Sequence, residues 1–263
     1  NYMGFANKRT DEQITKDTPL HIASVSKVLT ATATLMLIDA HKIKLDQKVN
    51  TIIKNFPYPD VTVQTLLNHR SGMKNYAYFT YENNNWDKKI TLTNEDIIKV
   101  MIDKEIPLES KSDTRFSYCN TNYAVLALII EKVTGMKFPE AMKEMIFTPL
   151  GMTNTYVCDF KKDHENIVPS YKGNNVEIGT DYLDGVYGDK NIYSTPRDLL
   201  KFDTARFAPF FLNPELLKKV YKGYSYEVNE GDTVITELID LYVSNLQIYY
   251  VPTTYGQNDG NLV

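Results

Sequence analysis

Two windows of the sequence pair a serine with a lysine three residues later: Ser24-Val25-Ser26-Lys27 and Ser71-Gly72-Met73-Lys74. Two others set a tyrosine two residues ahead of an asparagine: Tyr118-Cys119-Asn120 and Tyr81-Glu82-Asn83. A serine hydroxyl becomes a strong nucleophile when a neighbouring base takes its proton, and a lysine amine can be that base. Three residues is close to one helical turn, so on a helix the amine returns beside the hydroxyl. A phenol can relay a proton to a leaving group, and a carboxamide can hold a substrate carbonyl or the lysine. The chemistry of such a set is acyl transfer. Patterns this short also arise by chance, so the elements around them must choose between the copies.

Ser24 stands where an extended piece, Pro19 to Ala23, gives way to an apolar helix predicted over Ser26 to Ala40. That helix is apolar almost all round (Val28, Leu29, Ala31, Ala33, Leu35, Met36, Leu37, Ile38), which places it inside a core. A hydroxyl at its start meets unpaired backbone N–H groups and the positive end of the helix dipole, which favour an oxyanion. A Lys27 amine held among Val28, Leu29 and Ala31 is shielded from water, and burial disfavours a charged amine. Taken alone, the window reads at least as well as an N-cap serine and a snorkelling lysine. Ser71, after Asn68-His69-Arg70 and before Gly72, reads as a loop, as does Tyr81 beside Asn83-Asn84-Asn85. Tyr118 and Asn120 immediately precede a helix predicted over Tyr123 to Thr134 and closed by Gly135; an aromatic core residue beside an asparagine cap fits there too. Further helices are expected over Val63 to Asn68, over Ile97 to Ile102 after the Thr93-Asn94-Glu95-Asp96 cap, and over Glu140 to Phe147 after Pro139. Two more start at Thr195-Pro196 and Asn213-Pro214.

The ordered set resembles the serine β-lactamase and penicillin-binding protein superfamily. The Tyr-x-Asn version of the second motif points to its class C branch of β-lactamases, D-alanyl-D-alanine carboxypeptidases, D-aminopeptidases and related esterases. His21 to Lys27 looks like the nucleophile segment. Leu66-Leu67-Asn68-His69-Arg70-Ser71-Gly72-Met73 is similar to a structural turn of the branch, and Phe116 to Asn120 with Glu131 to Gly135 is similar to its second-motif helix. Pro149-Leu150-Gly151-Met152 and Ile192 to Leu200 resemble later landmarks in the right order. The resemblance covers roughly residues 2 to 222 and implies an α/β (α+β) fold of β-lactamase/transpeptidase type: an antiparallel sheet flanked by helices with an inserted all-α subdomain. We expect residues 1–42 and 190–263 to form the sheet subdomain and 43–189 a mostly helical one. The resemblance implies Ser24 as nucleophile, Lys27 and Tyr118 sharing the proton, and Asn120 binding substrate. It implies no cofactor, an amide or ester substrate that is a small molecule or a peptide, and an extracytoplasmic location.

The branch's third element, a strand bearing Lys-Thr-Gly or His-x-Gly, has its nearest counterpart at Tyr255-Gly256-Gln257-Asn258-Asp259-Gly260. Gln257 replaces the cation and Asp259 a glycine, and aspartate would repel a substrate carboxylate. That departure keeps two other readings open: a non-catalytic binding or scaffold protein, and a general esterase. We read the segment as a turn.

The rest is exclusion. With 29 Lys and Arg against 33 Asp and Glu, a net charge of −4 and 43% hydrophobic residues, the chain has neither a nucleic-acid footprint nor a disordered composition. Its longest apolar run falls short of the ~20 residues that span a bilayer. His21, His41, His69 and His164 show no metal-ligand spacing, and Cys119 and Cys158 make neither a disulfide framework nor a zinc site. Cys119 is expected to pack, and Tyr76, Tyr78, Tyr187 and Tyr193 are candidates for a cleft lining or for the core. Nothing in the sequence speaks to oligomeric state.

Overall fold

A computed structural model describes residues 2–163, 167–206, 208, 211–221, 225–229 and 232–237. The chain opens with β1 (Phe5–Asn7) and β2 (Glu12–Gln13), an antiparallel pair turning through Arg9 to Asp11. β3 (Leu20–His21) leads through a tight turn, Ala23–Val25, into α1 (Ser26–Asp39). Then come α2 (Val63–Leu67), α3 (Tyr76–Phe79), α4 (Asn94–Asp103), α5 (Asn120–Thr134) and α6 (Phe138–Met142). β4 (Tyr156–Val157), α7 (Phe160–Asp163), β5 (Ile192–Ser194), α8 (Pro196–Arg206) and α9 (Pro214–Val220) follow. A hairpin of β6 (Ser225–Asn229) and β7 (Asp232–Glu237) completes the described chain.

The central sheet is antiparallel in the order β3-β5-β4, with Leu20 opposite Ser194 and Val157 opposite Ile192. β3 and β5 come from the two segments read as sheet-forming. β4 joins them from the stretch read as mostly helical. Among the described residues, β1–β2 and β6–β7 remain separate two-stranded ribbons.

The elements form for local reasons. Thr62 caps α2 by accepting the Thr65 N–H, and Thr93 and Asp96 bond reciprocally at the start of α4. Gly135 ends α5 in the left-handed conformation, and the Asn213 side chain caps α9 ahead of Pro214. Residues 143–147, expected as the continuation of a helix, instead wind into a π-turn beyond α6. α1 and α5 are the two central helices. Every residue of α1 from Ser26 to Leu35 is buried, as is every residue of α5 from Thr121 to Glu131. A Leu or Ile fully buried in this way contributes about 1.5–3 kcal/mol. Two buried threonines of α1 meet their hydrogen-bonding needs within the helix: Thr32 and Thr34 donate to the carbonyls of Val28 and Thr30. The residues singled out for chemistry lie at the N-terminal ends of these two helices.

Candidate active site

Ser24 sits in the turn between β3 and α1, where its hydroxyl is partly exposed. The preceding Ala23 has φ +45°, a left-handed backbone that costs a residue with a Cβ on the order of 1–2 kcal/mol. Such strain survives only where surrounding contacts over-determine it. Here β5 does so: the Ile22 N–H donates to the Ile192 carbonyl at 3.0 Å, and the Ile192 N–H donates to the Ser26 hydroxyl at 3.2 Å. The turn is thereby pinned to the middle strand of the sheet.

Lys27 projects from the first turn of α1 and is 0% exposed. Its Nζ donates to the Ser24 hydroxyl at 3.0 Å and to the Asp189 carbonyl at 2.8 Å. It lies 5.2 Å from the centre of the Tyr118 ring and 6.0 Å from that of Tyr123. The Tyr118 hydroxyl is 2.9 Å from the Ser24 hydroxyl, and its ring is 43% exposed. The oxygen of a half-buried serine is therefore held between a buried amine and a half-open phenol. Asn120, the first residue of α5, is half-buried two residues beyond Tyr118. Its carboxamide Oδ1 is buried without a hydrogen-bond partner among the described residues.

Sequence reading missed Asp189. Its carbonyl aims Lys27, and its fully buried carboxylate accepts a hydrogen bond from the Tyr76 hydroxyl at 2.9 Å. Burial pushes this carboxyl above the usual aspartate range, opposed by the charges of Lys27 and Lys190 and by the Tyr76 bond. Tyr76, read as a candidate for the cleft lining or for the core, is a core residue whose phenol burial and Asp189 drive well above its ordinary value. Tyr193 is likewise buried and Tyr78 is exposed. Gly188 makes the approach possible: its φ is +98°, and a Cβ there would come within 2.4 Å of the Tyr123 carbonyl oxygen. The Gly188 carbonyl also accepts from the Thr30 hydroxyl at 2.7 Å. An aspartate following a glycine in a loop gives no periodic signal, so only the packing exposes its part.

The second copies of both patterns lie elsewhere. Ser71 is buried, donating to Asn122 Oδ1 at 2.6 Å and accepting the Met73 N–H at 3.1 Å, while Lys74 pairs with Glu82 at 2.8 Å. Tyr81 is exposed beside a turn over Glu82–Asn84. Cys119 is buried, and burial raises its thiol to about 11, so it packs and does not react. Among the described residues no His, Cys, Asp and Glu cluster could hold a metal ion, and no helix is long and apolar enough to cross a membrane. His164 and the Tyr255–Gly260 segment lie outside the described residues, as does the strand-like run Leu246 to Val251.

The family model described as Beta-lactamase matches residues 1–237. The chain belongs to the β-lactamase family. Among curated relatives, penicillin-binding protein 4* of Bacillus subtilis is 28% identical over 246 residues, covering 88% of this chain and 54% of that protein. The teichoic acid D-alanine hydrolase of Staphylococcus aureus is 27% identical over 226 residues, covering 82% of this chain and 54% of that protein. The chain thus spans about half the length of these relatives. Of solved structures, a penicillin-binding protein from Bacillus halodurans superposes with a TM-score of 0.73 at 24% identity, covering 86% of this chain and 70% of the other. A D-amino acid amidase from Ochrobactrum anthropi superposes with a TM-score of 0.68 at 26% identity, covering 84% and 64%. The β-lactamase/transpeptidase-like architecture expected from the sequence is the one this family member has.

Proposed function

We propose that this β-lactamase family member is a serine hydrolase that cleaves an amide or ester through an acyl-enzyme on Ser24. One observation carries the reading: the Ser24 oxygen lies 3.0 Å from a fully buried lysine amine and 2.9 Å from a phenol, on a residue that is only half-buried. In acylation the Ser24 proton passes to the Lys27–Tyr118 pair as Oγ bonds to the substrate carbonyl carbon. The Ser24 backbone N–H supplies one donor to the oxyanion. Tyr118 then returns the proton to the departing amine or alcohol as its bond to carbon breaks. Water, deprotonated by the same pair, attacks the acyl carbon, and Ser24 regains its proton as the acid leaves. Asn120 orients the acyl portion of the substrate.

The names of the relatives, a D-alanine hydrolase and a D-amino acid amidase, favour a D-amino acyl ester or amide as substrate and an extracytoplasmic setting. Intact-mass measurement after exposure to a fluorophosphonate or a fluorescent penicillin tests the reading. One adduct on Ser24 is expected. No adduct, or equal labelling of Ser24→Ala, would remove the proposal and leave a binding protein on an inherited scaffold. Rates on neutral D-alanyl esters against D-alanyl-D-alanine peptides decide the substrate class, with the esters expected to be faster.

A further inference from the structure

The turn from Asn68 to Met73 reads as scaffolding in the sequence, and most of it is. His69 is placed differently from its neighbours. Its backbone is left-handed, with φ +54°, which turns the ring inward to a fully buried position. There it touches the Tyr118 segment at three points. The His69 carbonyl accepts the Ser117 N–H at 2.8 Å, and Nδ1 accepts the Cys119 N–H at 3.1 Å. The imidazole also packs against the Tyr118 ring at 4.6 Å between centres, with Phe116 at 5.9 Å and Tyr123 at 5.1 Å on its other sides. Asn122 Nδ2, itself held through Oδ1 by Ser71, approaches the same Nδ1 at 3.1 Å. The His69 carbonyl and ring nitrogen therefore grip the residues on either side of Tyr118, and the ring backs its phenol.

We propose that His69 is the positioning residue for Tyr118, holding the phenol on the Ser24 oxygen by gripping Ser117 and Cys119 and by backing the aromatic ring. The inference rests on the acyl-transfer reading of Ser24 and deepens it. An N–H aimed at Nδ1 requires a lone pair there, so the ring carries its proton on Nε2. Burial first, and the charge of Lys27 second, push the imidazole down to about 3, while the Cys119 bond acts the other way. The acceptor thus survives at any neutral or mildly acid pH.

A positioning role has a signature that simple loss of structure lacks. With Tyr118 displaced, Lys27 still stands 3.0 Å from the Ser24 oxygen to take its proton, and fluoride leaves a fluorophosphonate without needing one; an alkoxide leaving an alkyl ester takes its proton from Tyr118. In purified His69→Leu, which loses both acceptor and ring, labelling of Ser24 by a fluorophosphonate should stay within roughly threefold of wild type. Turnover of D-alanine methyl ester should fall roughly 30- to 100-fold in kcat, with KM little changed, as expected when a proton relay is displaced. His69→Asn tolerates the left-handed backbone and keeps an acceptor near Nδ1, so it should retain more than roughly a tenth of wild-type turnover. If thermal melting shows His69→Leu unfolded, the same two readouts are taken on His69→Asn, with any loss confined to the methyl ester. Equal loss on both probes, or none on either, overturns the positioning role while the serine reading stands. A wild type that neither labels nor turns over removes the serine reading and this inference with it.

Discussion

Ser24–Lys27 and Ser71–Lys74 share one four-residue pattern in one chain, and the fold puts them to opposite uses. At the first, the serine is reachable and the lysine is fully buried; at the second, the serine is buried and the lysine reaches the surface to pair with Glu82. Ser24 faces an amine and a phenol, whereas Ser71 spends its hydroxyl on Asn122 and the Met73 N–H. The spacing is the same, but only one copy runs into a helix that the core surrounds. What separates the two copies is an inversion of burial: at the first the lysine is the more deeply buried residue, at the second the serine is.

The sharpest way to break this contrast is to remove each hydroxyl. Ser24→Ala should lose the covalent adduct altogether in intact-mass spectra, whereas Ser71→Ala should keep it. Next in size, Lys27→Met should slow acylation by roughly 10²- to 10⁴-fold, the range of a lost general base. Lys74→Met should leave the rate within about twofold, since an exposed pair contributes only ~0–1 kcal/mol. Stopped-flow acylation of the two variants measures the difference.

Two smaller effects concern stability. His69 is held neutral down to about pH 3, while in the unfolded chain it titrates near 6.5. As pH falls below 6.5 the unfolded state gains a proton that the folded state refuses. Stability should therefore drop by up to ~1.4 kcal/mol per pH unit from this group, levelling off near pH 3. Denaturant midpoints between pH 7 and 4 should show that slope in wild type and a shallower one in His69→Asn. Last, Ser71→Ala should cost about 1–3 kcal/mol in the same assay at pH 7, because it strands Asn122 Oδ1 and the Met73 N–H.

Much of the scaffold was legible because its signals are local. The caps at Thr93 and Asn213, the Gly135 stop and the apolar stretch of α1 each follow from a few neighbouring residues, and the structure has them all. Ser24, Lys27 and Tyr118 were legible as candidates, and the structure brings them together. What the sequence left unread lies in loops and in packing. The β4 strand is two residues long, too short for a period to register. Residues 143–147 gave a helical signal and wound instead into a π-turn. Tyr76 reads like any aromatic until its phenol is seen on Asp189.

The sequence by itself determined the longer helices, their order and the pairing of each candidate with a helix start, since these depend on residues only a turn or two apart. Tertiary structure alone decided which serine faces an amine and which tyrosine reaches it. It also decided that the Asp189 carbonyl, 162 residues away in sequence, aims Lys27. Such contacts carry no local period: they exist because two apolar helices bury their sides against each other and bring their starting ends to one place.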